Sequence, residues 1–234
     1  MENRIEVHGI VLKHRPVGEY DWIVTLLTAE RGKLNAFARG ARRPSGKLSG
    51  KVEPFCFGSF QLFPGKSSYT LQDTKIDYYF DSFRKKLELA ACGTFFLELA
   101  DYYTRENMEA GDFLNLLYLS LKALEAEKEE LPPKLIRCVY ELRAMVTEGI
   151  FPGESAYRGS NSAVVRALAH IGSAPLKKLY GFSLSPQALR ELDGLTASLR
   201  KRAIDRELQS LQLLAAYEDG ENGSGDGGSA INML

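Results

Sequence analysis

The amino-acid sequence predicts an α+β protein with more than one domain: a five-stranded β-barrel at the N-terminus, followed by an all-α region. Over about the first 80 residues, apolar and polar residues alternate with the period of two that is typical of short strands. Beyond residue 80, apolar residues recur at helical spacing. Hydrophobic residues make up 44% of the 234 residues. That share supports a buried core and excludes a wholly disordered chain.

Five strand-like runs precede residue 80, at residues 5–11, 22–28, 33–39, 55–63 and 69–78. Segments rich in glycine and proline separate several of them, at residues 16–18, 30–32, 43–46 and 63–65. Such segments are typical of turns between strands. Since a closed barrel leaves no strand edge unpaired, five short strands in this length favour a small barrel over residues 1–80.

Helical spacing covers residues 82–105, 112–126, 132–149 and 161–172, and two further helices follow. Pro133 fits the first turn of the third helix, and Ser185 is a suitable N-cap residue for a later one. We expect a helical domain over residues 81–217 with a short loop at 147–160. The glycine-rich end, residues 218–234, is predicted to be disordered.

Composition excludes several classes of protein. No run of 18 apolar residues predicts a transmembrane helix, and the N-terminus does not resemble a signal peptide, so we expect a cytoplasmic protein without membrane contact. The three cysteines are far apart in the sequence, as in a protein with buried free thiols. No histidine or cysteine spacing predicts a metal site, and we expect no cofactor.

Charge is balanced overall, with 30 basic and 30 acidic residues, but it is unevenly distributed. The window from Arg31 to Lys51 holds seven basic residues and no acidic one. Local asymmetry of this kind indicates a polyanionic partner. The glycines of the window favour a mobile basic loop after residue 39. The alternative is a solvated charged loop that binds nothing.

Period two places Lys33, Asn35, Phe37 and Arg39 on one face of the third strand. Small apolar residues occupy the other face. A basic face with an aromatic residue suits nucleic acid, because cations neutralise phosphates and a ring can stack on a base. Phe37 is equally compatible with a place in the core. His14, between Lys13 and Arg15, is expected to contact solvent or phosphate.

Catalysis has little support in the sequence. No nucleophile motif is present, and the nine acidic residues between Glu98 and Glu130 fall at helical surface positions. A nuclease would need carboxylates that converge on metal ions. We therefore expect no catalytic residues and no enzyme. Two non-enzymatic classes also fit the sequence: a general nucleic-acid-binding module, for example for RNA, and a protein adaptor.

Two stretches carry a resemblance to a known family. Gly9-Ile-Val-Leu-Lys-His-Arg-Pro-Val-Gly-Glu-Tyr-Asp, Ile23-Val-Thr-Leu-Leu-Thr and Arg31-Gly-Lys-Leu-Asn-Ala-Phe-Ala-Arg-Gly-Ala-Arg-Arg resemble the opening of the RecO family of bacterial recombination mediators. Pro175-Leu-Lys-Lys-Leu-Tyr-Gly-Phe-Ser-Leu-Ser and Arg206-Glu-Leu-Gln-Ser-Leu-Gln-Leu-Leu resemble its end. The resemblance covers roughly residues 1–215.

The resemblance implies an OB-fold (oligonucleotide/oligosaccharide-binding) barrel and a helical domain. It also implies a DNA repair and recombination mediator. Such a protein binds single- and double-stranded DNA, anneals complementary strands, and acts with RecR to load RecA onto DNA coated by single-stranded-DNA-binding protein. It contacts the C-terminal tail of that coating protein as well. Many family members carry a four-cysteine zinc module after the third helix, but residues 147–160 contain no cysteine.

Together these observations predict a DNA-binding surface on the barrel. We expect it to contain Lys13, His14, Arg15, Lys33, Phe37, Arg39, Arg42, Arg43, Lys47 and Lys51. For the acidic tail of the coating protein, two basic rims of the helical domain are candidates. One lies near Arg137 and Arg143. The other comprises Lys177, Lys178, Arg200, Lys201 and Arg202.

Overall fold

The computed structural model describes residues 4–65, 68–153 and 159–223, with side chains up to residue 216. Its strands are β1 (Ile5–Val17), β2 (Asp21–Thr28), β3 (Gly32–Ala38), β4 (Phe57–Pro64) and β5 (Tyr69–Tyr78). Its helices are α1 (Ser82–Lys85), α2 (Leu87–Tyr103), α3 (Gly111–Glu125), α4 (Pro133–Thr147), α5 (Ser162–Ser173), α6 (Pro186–Ala203) and α7 (Ser210–Gly223). A 3₁₀ turn spans Leu176–Lys178.

The strands close into a barrel in the order β1-β2-β3-β5-β4, with β4 paired back to β1. The pairing of β3 with β5 is parallel, with Ala36 opposite Tyr69, and the other four pairings are antiparallel. This confirms the predicted five-stranded barrel and its OB-fold topology. The alternation predicted for β3 is also confirmed, because Leu34, Ala36 and Ala38 are buried and the residues between them are not.

The segment between β3 and β4 corrects one expectation. We predicted a mobile loop, but Leu48 and Val52 are buried in the barrel core at 4% and 0% exposure. Successive turns fix the backbone, with hydrogen bonds from the amides of Arg43, Gly46 and Ser49 to carbonyls three residues earlier. Two isolated apolar residues show no periodicity, so the sequence pattern did not reveal that this segment caps the barrel.

A second correction concerns the helix predicted over residues 82–105. The chain breaks at Lys86, whose backbone is extended, and forms α1 and α2 instead. The break folds the Phe83 ring onto Gly93 of α2. A β-carbon at residue 93 would lie only 2.4 Å from the Phe83 ring, so any larger residue there would force this buried ring to shift. Tight packing between the two helices therefore overrides helical continuity.

The barrel and the helices share one core. Ile10, Leu12, Leu27 and Phe55 of the barrel region belong to the same buried cluster as the helices. Backbone pairing adds to this contact, because the amide of Lys33 donates to the carbonyl of Arg105 at 3.0 Å. β5 ends just before the expected domain boundary at residue 80, and α1 begins just after it. The buried core nevertheless continues across this boundary.

The end of the chain differs from expectation in one respect. α7 extends to Gly223, beyond the expected limit of the helical domain at residue 217. Residues 224–234 of the predicted disordered tail lie outside the described residues, as do residues 154–158 of the predicted loop. In the described part of the chain, no helix is both long and apolar enough to cross a membrane.

The cap of the barrel is testable through Leu48. We expect Leu48→Ala to lower the free energy of unfolding by about 2–5 kcal/mol, because it leaves a cavity in a closed core. Urea denaturation measures this change. Ser45→Ala, in the exposed part of the same segment, is the control and should change stability by less than about 0.5 kcal/mol. Equal effects of the two substitutions would show that Leu48 does not anchor the segment.

Candidate nucleic-acid interface

Three strands of the barrel build one open face. Strand register aligns Lys13 with Thr25 and Thr25 with Asn35 across β1, β2 and β3. It aligns Arg15 with Ile23 and Ile23 with Phe37 in the next row. Because opposed residues of paired strands point to the same side, these two rows form one surface. A cleft of about 400 Å³ lies there, and it is lined by Lys13, His14, Arg15, Ile23, Thr25, Asn35, Ala36, Phe37 and Ser68.

A bulge in β1 sets the direction of Lys13. Val11 is paired with Leu26 and Lys13 with Thr25, so Leu12 is the extra residue. Ordinary alternation buries Val11 in the barrel and Leu12 in the core shared with the helices, and the bulge interrupts this alternation before Lys13. Strand alternation then resumes with Lys13 exposed on the cleft.

Phe37 lies in the wall of the cleft and is half-buried. The sequence allowed two positions for Phe37, in the core or exposed for stacking, and the structure gives an intermediate one: the side chain is partly buried and lines the cleft. Arg39 extends over this ring, with its guanidinium carbon 5.9 Å from the ring centre. An apolar surface beside cations is suited to an unstacked base next to its phosphate.

Arg42 and Arg43 are held over aromatic rings that sequence reasoning did not single out. The guanidinium carbon of Arg42 is 5.1 Å from the centre of the Trp22 ring, and that of Arg43 is 4.5 Å from the Tyr20 ring. Arg42 also donates to the carbonyl of Gly18 at 3.2 Å. The β1–β2 hairpin thus supplies platforms for the arginines of the next loop. The spacing of residues within the loop does not reveal these stacking partners, because each arginine and its ring are about 20 residues apart in the sequence and meet only in the fold.

His14 has a supporting position rather than the exposed one that we expected. Its ring stacks on Trp22 with the ring centres 3.9 Å apart. Its Nδ1 lies 3.3 Å from the carbonyl oxygen of Val52 and 3.7 Å from a carboxylate oxygen of Glu53. His14 therefore joins the barrel to its cap and packs against Trp22, and the residue also lies at the edge of the cleft.

Lys13 and Lys33 share a carboxylate of the helical region. The ammonium of Lys13 lies 2.7 Å from Oδ2 of Asp101 in α2, and that of Lys33 lies 3.2 Å from Oδ1. Lys33 also donates to the carbonyl oxygen of Asp101 at 2.6 Å. Burial would raise the pKa of Asp101, but the hydrogen bond from Lys13 and the charge of Lys33 outweigh it and hold the pKa below its usual range.

Lys47 and Lys51 lie in the cap of the barrel. Lys47 is exposed and its ammonium is 2.8 Å from Oδ2 of Asp73 in β5. The hydrogen bond from Lys47 lowers the pKa of Asp73, and the charge of Lys51 contributes to the same effect. Because the Lys47 pair is exposed, we expect it to contribute little to stability.

The first candidate rim for an acidic tail is occupied by internal contacts. Arg137 is buried and pairs with Glu141 at 3.2 Å and with Asp193 at 2.8 Å. Arg143 donates to the carbonyl of Ile171 at the end of α5. In the second rim, Arg200 pairs with the buried Glu141. The exposed members of the second rim are Lys177, Lys178, Lys201 and Arg202.

The cysteines are free and buried. Burial raises the pKa of Cys56 to about 11 and that of Cys138 to about 12, so both are protonated thiols near neutral pH. In residues 4–65, 68–153 and 159–223, no three His, Cys, Asp or Glu side chains are grouped so that they could hold a metal ion.

Comparison with known proteins identifies the family of the chain. Residues 1–80 match the family model for the N-terminal part of recombination protein O, and residues 84–156 match the model for its C-terminal part. The chain belongs to the RecO family. Membership of this family places it among DNA repair and recombination proteins.

Three relatives show how far the similarity extends, and each is named DNA repair protein RecO. The protein of Symbiobacterium thermophilum is 33% identical over 89% of this chain and 83% of the relative. That of Acetivibrio thermocellus is 25% identical over 92% of this chain and 98% of the relative. That of Alkaliphilus metalliredigens is 34% identical over 63% of this chain, but the match covers only 59% of the relative's length.

The role of Asp101 in stability is testable through pH. Its pKa is lower in the folded chain than the value of about 3.9 in an unfolded one, so its stabilising effect is present above that value. The effect is lost as pH falls through the folded pKa. We expect Asp101→Asn to cost about 1.5–3 kcal/mol at pH 7, the range for hydrogen bonds to charged groups. The difference from the unmodified chain should shrink below about pH 5.

Urea denaturation between pH 7 and pH 3 measures this difference. Asp77→Asn, at an exposed position of β5, serves as the control and should cost little at any pH. If Asp101→Asn remained equally destabilising at the acid end, loss of packing rather than loss of charge would explain its effect.

Proposed function

We propose that this RecO-family chain binds single- and double-stranded DNA through the open face of its barrel and anneals complementary strands. The observation that supports this most directly is the cleft between β1, β2 and β3, where Lys13, Arg15 and Phe37 line one surface. Cations that can neutralise phosphates lie there beside a ring that can take a base. The similarity to proteins named for DNA repair agrees with this choice of nucleic acid.

The proposed contact surface extends from the cleft to the cap of the barrel. Its cations are Lys13, Arg15, Lys33, Arg39, Arg42, Arg43, Lys47 and Lys51. Lys13, Lys33 and Lys47 have carboxylate partners, and we expect DNA phosphate to compete for them. Arg15, Arg39, Arg42 and Arg43 are exposed, so they are the first candidates for phosphate contacts.

Annealing by this surface needs no covalent step. Two complementary strands repel each other through their phosphates, and cations between them lower that repulsion. Bases that are held at the cleft remain free on their pairing edges if only their ring faces are stacked. The proposed role is therefore that of a mediator that brings strands together, rather than that of an enzyme that cuts or joins them.

We further propose that the chain acts with RecR to load RecA onto DNA coated by single-stranded-DNA-binding protein. The family resemblance supports this step. For the acidic tail of the coating protein, the exposed cations Lys177, Lys178, Lys201 and Arg202 are the better candidate rim, because Arg137 and Arg143 are engaged internally. A protein with this role would work in the cytoplasm, at the DNA of the bacterial nucleoid.

The arginines of the barrel provide the main test. We expect the triple charge reversal Arg39→Glu, Arg42→Glu and Arg43→Glu to abolish DNA binding and annealing without unfolding the chain. With about five phosphates contacted, the unmodified chain should show a slope of log affinity against log salt near −3.5 on single strands, at ~0.7 per phosphate. Fluorescence anisotropy with labelled oligonucleotides measures both quantities.

A matched control removes the effect of net charge. The exposed residues Lys85, Lys128 and Arg190 lie in the helical region, and their reversal to Glu changes the net charge by the same amount. This control should keep most of the binding. Equal losses in both variants would reduce the effect to overall charge and contradict the barrel site. Competition between DNA and RNA of matched sequence distinguishes a DNA mediator from a general nucleic-acid-binding module.

Phe37 provides a test of stacking. We expect Phe37→Leu, which keeps an apolar side chain in the barrel wall, to weaken single-strand binding by about 1–3 kcal/mol, the range for loss of one stacked base. Duplex binding should change less, because paired bases do not enter the cleft. Parallel titrations with single and duplex oligonucleotides measure the difference. Equal weakening for both would place Phe37 in the barrel wall alone.

A further inference from the structure

A second cleft lies where the barrel meets the helical region. Its volume is about 420 Å³, and it is lined by residues of β1, α2 and the link between α6 and α7. Lys13 lines this cleft as well as the cleft on the barrel face. A DNA strand bound along the barrel face could therefore contact Lys13 and extend from there into the second cleft.

Two cations meet at the wall of this junction cleft. The Lys13 ammonium and the Arg206 guanidinium both approach Oδ2 of Asp101, at 2.7 Å and 3.5 Å. Because both groups contact the same oxygen atom, their nitrogens lie close to each other. Lys33 contacts the other oxygen of Asp101. Three cations thus share one buried carboxylate, while Glu98 and Glu207 also line the cleft.

Arg206 is held in place but remains open to solvent. Its guanidinium carbon lies 5.2 Å from the centre of the Tyr102 ring. The Tyr102 hydroxyl donates to Asp205 at 2.9 Å, and this contact fixes the ring against the link. The Arg206 side chain is nevertheless 46% exposed. An arginine stacked on a ring keeps its N–H donors directed outward in the plane of the guanidinium.

The acidic residues of the cleft differ in how far they are compensated. Glu98 accepts hydrogen bonds from the amides of Gln209 and Ser210 at the start of α7, at 3.0 Å and 2.8 Å, and from the Ser210 hydroxyl. The positive end of the helix offsets its charge. Glu207 is exposed and accepts one hydrogen bond from the Gln212 amide at 3.0 Å. Glu207 is therefore the carboxylate that opposes an incoming anion.

We infer that the DNA-binding surface crosses the junction, and that Arg206 in the α6–α7 link contacts a backbone phosphate beside Lys13. This inference rests on the proposed DNA binding of the barrel. It adds a contact from the helical region, so one DNA chain would touch both parts of the protein. Asp101 holds Lys13 and Arg206 close together at the wall of the cleft.

The experiment measures single-strand affinity against salt for the full chain and its variants. Arg206→Gln should reduce the magnitude of the slope by about 0.7, the value for one phosphate, and weaken binding several-fold at low salt. Arg190→Gln, at an exposed position of α6 outside the proposed binding surfaces, is the matched control and should keep the slope. Glu207→Gln should strengthen binding several-fold, because it removes the opposing charge.

Arg206→Lys tests whether the effect of Arg206 is one of charge. Its slope should stay close to that of the unmodified chain, whereas a purely structural role of the stacked guanidinium would not be restored by lysine. This variant and Glu207→Gln decide the question if Arg206→Gln fails to fold.

Each result has a defined meaning. If the unmodified chain binds with a steep slope, but neither Arg206→Gln nor Glu207→Gln changes affinity, the inference is overturned and the barrel site stands. If the unmodified chain itself shows no salt-dependent DNA binding, the proposed function fails. If Arg190→Gln lowers the slope as much as Arg206→Gln, the contribution belongs to the general charge of the helical region, and the phosphate contact at Arg206 is wrong.

Discussion

The carboxylate of Asp101 is the contact on which the arrangement of the molecule depends. It lies in α2 with 6% exposure and takes ion pairs from β1, from β3 and from the α6–α7 link. A buried carboxylate requires partners that offset the cost of removing it from water. Lys13, Lys33 and Arg206 provide that charge, and they do so from three different segments. These ion pairs help to fix the orientation of the barrel against the helices. The shared apolar core and the hydrogen bonds of Tyr78 in β5 with Glu125 and Lys122 in α3 contribute to the same contact.

The same point connects stability with binding. Lys13 and Lys33 stabilise the junction, and we propose that they also neutralise phosphate. Lys13 is 59% exposed, whereas Lys33 is only 22% exposed. A lysine ammonium has three donors, so Lys13 can donate a hydrogen bond to a phosphate while it keeps its ion pair with Asp101. Lys33 is held by both a carboxylate oxygen and the backbone carbonyl of Asp101, so its part is mainly to support the junction.

The sequence was sufficient for the five strands of the barrel and most of the helices, because these follow from periodicity and turn residues. The OB-fold topology was implied by the family resemblance. It did not predict the break at Lys86 or the burial of Leu48, since both depend on packing between segments that are distant in sequence. The same limit applies to the interface. Charge density identified Arg42 and Arg43, but Trp22 and Tyr20 beneath them became visible only through the fold.

The aromatic platforms bear on how the arginines would bind. An exposed arginine that is free in solution loses side-chain entropy when it contacts a phosphate, at a cost of about 0.5–1.5 kcal/mol for each ordered side chain. Arg42 and Arg43 already lie over the rings of Trp22 and Tyr20, and His14 stacks beneath Trp22. Much of that cost is therefore met by folding. Because the guanidinium donors lie in the plane of the group, stacking over a ring leaves them free to reach a phosphate. The basic segment is anchored in the barrel core, and its arginines stack on aromatic rings. It is therefore better preorganised to bind a polyanion than the mobile loop that the sequence predicted.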